Sequence, residues 1–244
     1  MDPVDPMDPS TDARGRRVPS DGGPLAFVDD LGEPALEDDD HHHLARVRRV
    51  RDGDALVLAD GTGRWVRARM AGRRPTVEGE PVDAVRATPA VGIGFGLSKG
   101  VKPEWCVQKL TELGVDRIRP FTAARSVVRW DGTKAEAARA RLQKVAREAA
   151  RQSRSPWVPI VEPLATWAEV AALPGACRAD RGGAPPSLER RLVLVGPEGG
   201  WDDEELSVPL PVVALGAGVL RAETAAITAG VLLTALREGV VRPG

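Results

Sequence analysis

Cysteine is scarce in this chain of 244 residues, which contains only Cys106 and Cys177. Two cysteines are too few for a disulfide framework or a zinc cluster, so the sequence predicts a protein of a reducing compartment, the cytoplasm. Histidine is scarce as well, and the three present, His41, His42 and His43, are consecutive. Because adjacent side chains point in different directions, these histidines do not predict a metal site.

Long apolar runs and a targeting segment are also missing. The longest apolar stretches, such as VLLTAL at residues 231–236, are much shorter than the ~20 residues of a transmembrane helix. The amino-terminal residues lack the basic and apolar regions of a signal peptide. The P-loop pattern does not occur, and the glycines at 92, 94 and 96 fail the dinucleotide-binding pattern because residue 97 is Leu. We therefore expect neither a membrane protein nor one of these two nucleotide-binding classes.

The composition is that of a globular protein with a core, since 42% of the residues are hydrophobic and 28% are charged. The length predicts one large domain or two modest ones. A net charge of −1 conceals two basic segments, with a local charge of +6 over residues 46–74 and +8 over residues 99–154. A focused positive face would bind a phosphate-rich polyanion. Charge counts alone leave open the alternative, in which the arginines are spread over solvated helix faces.

The pattern of residue types divides the chain into three parts. Residues 1–23 are rich in Asp, Pro, Gly and Ser and predict a disordered tail. Residues 24–86 contain short β-like runs separated by Gly-containing turns, with one helical turn around residues 41–49, and predict a small all-β domain. Pro81 and Pro89 bracket a predicted linker to the third part.

Residues 90–244 alternate strand-like and helix-like segments, which favours a parallel sheet with helices on both faces. Strands are predicted at residues 91–97, 115–121, 158–161, 192–195 and 212–215. Helices are predicted from Pro103 to about 113, from Thr133, where Glu136 completes a capping-box pattern, at 166–173 and from about 223 to 237. Little can be placed between residues 177 and 189, which are rich in Gly and Pro.

Two glycine-bearing loops follow strands near the carboxyl terminus. Residues 191–201 (RLVLVGPEGGW) are an apolar strand that breaks into glycines, and residues 212–226 (VVALGAGVLRAETAA) lead from a strand into a helix. Glycines at the carboxyl end of a strand let a ligand approach the backbone closely, and open α/β sheets bind small molecules at this edge. The two loops predict one shared pocket, although glycine spacing alone leaves open two ordinary strand–helix turns.

The segments GPEGG (residues 196–200) and LGAGVLRAETA (residues 215–225) closely resemble the signature of the ribosomal RNA small subunit methyltransferase E family. Residues 98–127 resemble the family's first strand–helix unit and residues 151–159 its glutamine-serine motif, while the segment from His43 to Gly53 resembles its RNA-binding PUA-like barrel. The resemblance covers about residues 25–239. The sequence departs from the family at residues 176–191, where no clear strand is evident.

The family belongs to the SPOUT class of S-adenosylmethionine-dependent methyltransferases. The resemblance implies a C-terminal α/β domain with a parallel sheet and a trefoil knot, preceded by a small all-β PUA-like barrel. It also implies a homodimer that methylates N3 of a uridine in the decoding region of 16S ribosomal RNA, in the small ribosomal subunit. The cofactor-binding residues that the match implies are Leu194, Val195, Gly196, Pro197, Glu198, Gly199, Gly200, Leu215, Gly216, Gly218, Val219, Leu220, Arg221 and Thr224.

The chemistry requires an aligned methyl donor and a deprotonated uracil N3, and it requires no metal. Arg221 is a candidate to stabilise the developing negative charge, its alternative role being an ion pair with Glu198 or Glu223. Glu198 is a candidate base, its alternative role being to accept hydrogen bonds from backbone amides. The basic segments are expected to bind phosphates without reading bases. The residues predicted to bind RNA are Arg46, Arg49, Lys99, Lys102, Arg125, Arg139, Arg147 and Arg154.

Two other functions are compatible with these motifs. One is a SPOUT enzyme that modifies another RNA position, such as a ribose 2′-oxygen. The other is an RNA-binding protein without activity that serves ribosome assembly. The intact glycines of residues 196–200 and the intact residues 221–224 argue against a loss of activity.

Overall fold

The protein divides into two compact units, each assembled from two stretches of chain. The structure is a computed structural model that describes residues 17–97, 103–126, 128 and 130–242. The first unit comprises Met1–Arg86 with Ala150–Val158, and the second comprises Ala87–Ala149 with Pro159–Gly244. No helix in the described part of the chain is long and apolar enough to cross a membrane.

The first unit is built on a four-stranded sheet with the order β1-β2-β3-β4. Strand β1 is parallel to β2, and the other two pairs are antiparallel. Strand β4 was not predicted, and Pro81 lies inside it rather than in a linker; proline is tolerated here because β4 is an edge strand. The elements are β1 (Leu25–Phe27), helix α1 (Asp38–His42), a π-helical turn (His43–Val47), β2 (Ala55–Ala59), β3 (Arg64–Arg69) and β4 (Thr76–Asp83).

Both faces of this sheet carry an apolar cluster. Successive side chains of β2 point to opposite sides, so this strand contributes to both clusters. Leu56 and Leu58 pack in one apolar cluster with Leu44 of the π-helical turn. Val57 packs in a second cluster that includes Ala150, a residue far away in the sequence. The second face therefore depends on residues 150–158, which the sequence placed in the other domain.

Residues 150–158 are held to the first unit by packing and by hydrogen bonds. Trp157 lies so close to Gly63 that a Cβ atom there would be 2.1 Å from Cζ2 of the ring. The guanidinium group of Arg154 donates to the carbonyl oxygens of Val18, Pro19 and Gly23. Burial lowers the pKa of this guanidinium, as expected for a cation withdrawn from water.

Residues 17–23 also belong to this unit, although the sequence predicted a disordered tail up to residue 23. Val18 is buried, and its amide donates to the carbonyl oxygen of Arg154 at 3.1 Å. Ser20–Gly22 form a turn of 3-10 helix. The prediction extended the tail too far because the residues that order this segment are distant in the sequence.

The second unit contains a parallel sheet with the strand order β11-β9-β10-β5-β6-β7, and β8 also pairs with β6. Every pair in this sheet is parallel, which confirms the predicted α/β class. Strand β9 occupies the stretch in which no strand was recognised, so that part of the sequence interpretation was wrong. The strands are β5 (Gly92–Gly96), β6 (Arg117–Thr122), β7 (Ile160–Val161), β8 (Ala165–Thr166), β9 (Ala176–Ala184), β10 (Leu192–Val195) and β11 (Val212–Val213).

The helices of the described chain agree with the predictions except at two points. Helix α3 begins at Gly132, so Thr133 lies inside its first turn, and the amide of Lys134 instead donates to Oδ1 of Asp131 at 3.3 Å. Helix α5 was not predicted. The helices that follow α1 are α2 (Pro103–Glu112), α3 (Gly132–Gln152), α4 (Trp167–Ala171), α5 (Asp203–Ser207) and α6 (Ala222–Arg237).

Candidate active site

A cavity of about 440 Å³ lies where three adjacent parallel strands, β10, β9 and β11, end. Its walls come from residues 179–181 of β9, from most residues of the segment 195–201 that ends β10 and follows it, and from residues of the segment 215–225 between β11 and α6. The two glycine-bearing loops thus line a single pocket, as the sequence predicted. Predicted cofactor residues found in the lining are Val195, Gly196, Pro197, Glu198, Gly200, Leu215, Gly216, Gly218, Val219, Leu220 and Arg221.

Three of the predicted cofactor residues do not line the cavity. Leu194 is fully buried and packs in an apolar cluster, because its side chain points away from the side to which Val195 points. Gly199 lies against Arg125, where a Cβ atom would be 3.0 Å from Cβ of the arginine. Thr224 is exposed on α6, and Ala222 and Ala225 of the same helix line the cavity instead.

Sequence reasoning missed Trp201, two alanines of α6 and the three residues contributed by β9. Trp201 directly follows the glycine loop, and Ala222 and Ala225 are one helical turn apart, so proximity and period could have identified them. The contribution of β9 could not be recognised because the strand itself was not. The missed residues are Ala179, Asp180, Arg181, Trp201, Ala222 and Ala225.

Trp201 joins the glycine loop to strand β9 and to the core. Its Nε1 donates to the carbonyl oxygen of Ala179 at 3.3 Å. Its ring is parallel to that of Phe121, with the centroids 6.2 Å apart, and its centroid is 4.6 Å from that of Trp167. Gly196 lies against this ring, since a Cβ atom there would be 3.0 Å from Cε2 of Trp201. The glycine therefore lets the loop pass closely over the indole.

Glu205, a buried carboxylate that is only 4% exposed, fixes the loop that follows β10. Its Oε1 accepts a hydrogen bond from the amide of Ala124 at 2.8 Å, and its Oε2 accepts one from the amide of Asp202 at 3.0 Å. Oδ1 of Asp202 accepts in return from the amide of Glu205, which completes a capping box at the start of α5. The backbone that lines the cavity is therefore held in place from behind.

Two arginines strengthen the same connection. Nη1 of Arg178, a buried residue of β9, donates to the carbonyl oxygen of Glu205 at 3.1 Å. Nη1 of Arg125, an exposed residue, donates to the carbonyl oxygen of Gly199 at 3.0 Å. Arg125, which the sequence predicted to bind RNA, thus supports the glycine loop.

Four charged residues line the cavity: Asp180, Arg181, Glu198 and Arg221, all of them exposed. Arg221 is the residue that precedes α6 and does not cap that helix with its side chain. Within the described ranges its guanidinium forms no ion pair with Glu198 or Glu223, and the Glu198 carboxylate accepts no hydrogen bond from a backbone amide. Both side chains are therefore free to act on a ligand in the cavity.

The two cysteines take no part in this site. Both are buried and neither lines the cavity. Burial raises the pKa of each thiol to about 12, so the reactive thiolate is essentially absent at neutral pH. Among the described residues, no group of three or more His, Cys, Asp or Glu side chains is arranged to hold a metal ion.

The residues predicted to bind RNA have different surroundings. Arg46 and Arg49 are exposed, and no described residue pairs with their guanidinium groups. Nε of Arg139 donates to the carbonyl oxygen of Val161 at 3.1 Å, and the same side chain forms an ion pair with Glu136. Arg125 and Arg139 in the second unit and Arg154 in the first are therefore used within the protein.

Three further residues were predicted to bind RNA: Lys99, Lys102 and Arg147. Arg147 is half-buried, and the structure gives it a partner within the protein. Lys99 and Lys102 lie outside the described residues.

Comparison with known proteins is consistent with this architecture. Residues 86–234 match the model of a family described as RNA methyltransferase domain, and residues 36–78 match the model of an RNA methyltransferase PUA domain. The fold and the site therefore define an RNA methyltransferase with an amino-terminal PUA domain.

The relatives narrow this class. The chain is 35% identical over 234 residues to ribosomal RNA small subunit methyltransferase E of Mycobacterium bovis, covering 84% of this chain and 88% of the relative. It is 31% identical to the Bacillus subtilis protein of the same name, covering 77% of this chain and 84% of the relative. The chain belongs to the ribosomal RNA small subunit methyltransferase E family, which confirms the resemblance drawn from its motifs.

Solved structures of methyltransferases share the fold of this chain. The Neisseria gonorrhoeae ribosomal RNA small subunit methyltransferase E, bound to S-adenosyl methionine, superimposes with a TM-score of 0.73 at 26% identity, covering 87% of this chain and 97% of that one. A Legionella pneumophila methyltransferase in complex with the same cofactor has a TM-score of 0.72 at 25% identity, covering 86% and 96%.

We expect Glu205→Gln to weaken cofactor binding without touching the cavity. The carboxylate accepts hydrogen bonds from two backbone amides, and in the variant one of these amides would face the NH2 group of glutamine, a second donor, which costs about 1–3 kcal/mol. The free energy of unfolding, measured in urea, and the affinity for S-adenosylhomocysteine, measured by calorimetry, should both fall. Glu204→Gln, a change of the exposed carboxylate next in the chain, is the matched control and should alter neither quantity. Wild-type values for Glu205→Gln would contradict the role given to this residue.

Proposed function

We propose that this chain transfers the methyl group of S-adenosylmethionine to N3 of a uridine in the decoding region of 16S ribosomal RNA. The observation that carries the proposal is the single cavity that residues 195–201 and 215–225 form where adjacent parallel strands end. Its volume, about 440 Å³, lies within the range of ~300–1,000 Å³ that is typical of small-molecule sites.

The residues present fit the cofactor. Backbone amides and carbonyls of the two glycine-bearing loops can hydrogen-bond an adenine, and the side chains of Val195, Leu215 and Leu220 give it apolar walls. The predicted trefoil knot would hold these loops together. When bound, S-adenosylmethionine supplies a methyl group that is already activated by its sulfonium, so no metal is required.

Two exposed side chains at the cavity are suited to the uracil. Before N3 can attack the methyl group it must lose its proton, which leaves negative charge on the ring. The Glu198 carboxylate would accept that proton, and the Arg221 guanidinium would stabilise the charge that develops. Since neither is engaged by the other in the described chain, both are available when the base enters.

If the protein had lost its activity, side chains could fill the cavity, or the hydrogen bonds that hold its loop could be lost. In this structure the cavity is open and the loop is hydrogen-bonded. The loop after β10 keeps the hydrogen bonds of Glu205 and Arg125. An enzyme that methylates another RNA atom, such as a ribose 2′-oxygen, would use the same cofactor cavity. The two activities are therefore distinguished by the methylated nucleoside that forms.

The decisive experiment incubates the purified chain with S-adenosylmethionine and small ribosomal subunits or 16S RNA that lack the modification, followed by mass spectrometry of the nucleosides. We expect N3-methyluridine. Glu198→Gln and Arg221→Ala should each lower kcat by about 10²-fold or more, whereas the exposed control Arg191→Gln should not. A 2′-O-methylated product would favour the other RNA position, and absence of cofactor binding would favour the assembly protein.

For RNA binding we propose the basic turn, defined as Arg46, Arg48, Arg49 and Arg51, which follows α1. All four are exposed, and no described residue pairs with their guanidinium groups. Four uncompensated positive charges within six residues form a strong local attraction for phosphate. Unlike Arg139 and Arg154, these side chains need not leave a partner in the protein before they bind RNA.

We expect Arg46→Gln/Arg49→Gln to weaken RNA binding and to make its salt dependence shallower. Each phosphate contact contributes about 0.7–0.9 to the slope of log K against log salt concentration, so the slope should drop by about 1–2. Arg69→Gln is the matched control, because Glu78 at 2.8 Å already neutralises that arginine. Equal slopes for the wild type and the double variant would contradict the basic turn.

We also propose that the protein is a homodimer and acts in the cytoplasm, where its RNA is assembled into ribosomes. The second unit exposes large apolar side chains near the cavity and on α6: Val219 is 81% exposed and Val231 is 42% exposed. Light scattering should give twice the mass of one chain, and Val231→Glu should shift it toward one. A monomeric wild type would refute the dimer and leave the cofactor site unaffected.

A further inference from the structure

Strand β9 bulges at the cavity. Val212 of β11 pairs with Arg178, but the next residue, Val213, pairs with Ala184. Residues 179–183 therefore have no partners in β11 and form what we call the β9 bulge. Gly182 has a φ of +75°, and a Cβ atom on Gly183 would be 2.6 Å from the backbone of β11. Glycines thus allow the bulge its sharp turn and its close return to the sheet.

The bulge places two consecutive charged residues at the wall of one cavity. In a regular strand, neighbouring side chains point to opposite faces. In the β9 bulge, however, Asp180 and Arg181 both line the cavity. Side chains of two consecutive residues can both reach one ligand only where the strand departs from this alternation, as it does in the β9 bulge.

Both groups retain binding capacity. Oδ1 of Asp180 accepts a hydrogen bond from the amide of Arg181 at 2.7 Å, which orients the carboxylate and leaves Oδ2 open. The Arg181 guanidinium has no partner within the described part of the chain. The two side chains are exposed, so they lie at the mouth of the cavity rather than in its interior.

The rest of the lining is chemically different. Apart from Glu198 and Arg221, which belong to the loops on either side, it consists of backbone and apolar side chains such as Val195, Leu215 and Ala225. Such walls suit a purine and a ribose. They do not suit an α-amino acid group, which carries an ammonium and a carboxylate on one carbon and needs an acid and a base side by side.

We infer that the β9 bulge binds the amino-acid end of the cofactor, with Asp180 accepting from the α-ammonium and Arg181 donating to the α-carboxylate. This inference rests on the proposed function, because it assigns a subsite within the same cavity. An RNA phosphate is a poorer occupant, since Asp180 would repel it. A ribose is poorer as well, since its hydroxyls would leave Arg181 without a charged partner.

Three ligands whose sulfur is an uncharged thioether allow the contact of Asp180 and the contact of Arg181 to be measured separately. S-adenosylhomocysteine carries both the ammonium and the carboxylate, its decarboxylated analogue carries only the ammonium, and 5′-methylthioadenosine carries neither. Affinities measured by calorimetry for all three, with wild type and with each variant, isolate the amino-acid end from the nucleoside. Binding of 5′-methylthioadenosine also reports that a variant is folded and that its cavity is intact.

Arg181→Gln should lower the affinity for S-adenosylhomocysteine about tenfold and leave the other two ligands unchanged. Asp180→Asn should weaken S-adenosylhomocysteine and the decarboxylated analogue by about the same factor and leave 5′-methylthioadenosine unchanged. A single charge-assisted hydrogen bond accounts for changes of this size. Arg191→Gln, an exposed arginine that does not line the cavity, should match wild type for every ligand.

Two results would overturn the inference. One is an equal loss of all three ligands in Arg181→Gln, which would indicate a structural role. The other is unchanged ligand affinities with weakened RNA binding, which would assign Arg181 to phosphate. If wild type binds none of the three ligands, the proposed function itself fails, and that outcome is distinct from either of these.

Discussion

The parallel pairing of β9 between β10 and β11 is the constraint on which the rest of the second unit depends. Parallel strands end on the same side of a sheet, so three neighbouring ends bring together residues as distant in the sequence as Ala179 and Ala225. The cavity exists because the chain returns to this edge three times. Because β10 and β11 do not pair with each other, β9 is the strand that joins the two glycine-bearing loops in one sheet.

The site combines a loop held by buried hydrogen-bonding groups with exposed charged side chains. Glu205 and Arg178, both buried, fix the loop behind the cavity, while the four charged side chains that face a ligand are exposed. This division suits methyl transfer, in which the donor must be aligned within tenths of an ångström but the RNA base must enter and leave. Under the proposed function, the buried hydrogen bonds would hold the loop against the donor, and the exposed Glu198 and Arg221 would meet the RNA base.

Much of the fold and most of the pocket could be predicted from the sequence. Strands such as β5 and β10 are short apolar runs, and the cofactor loops are marked by glycines directly after such runs. The sequence did not reveal β9, because a strand that carries Arg178, Asp180, Arg181 and two glycines lacks an apolar pattern. Its place in the sheet comes from pairing on both sides, which is a tertiary effect. Likewise, no local pattern indicates whether an arginine such as Arg154 meets carbonyl oxygens or solvent.

The first unit is assembled from two stretches of chain, since residues 150–158 cover one face of its sheet. The polypeptide therefore forms most of the first unit, continues into the second, returns to the first at residues 150–158 and ends in the second. A gene fragment that ends at residue 86 would encode the strands without Ala150 and Val158, which pack in the second apolar cluster. To transfer this unit to another protein, two separate pieces of chain would have to move together.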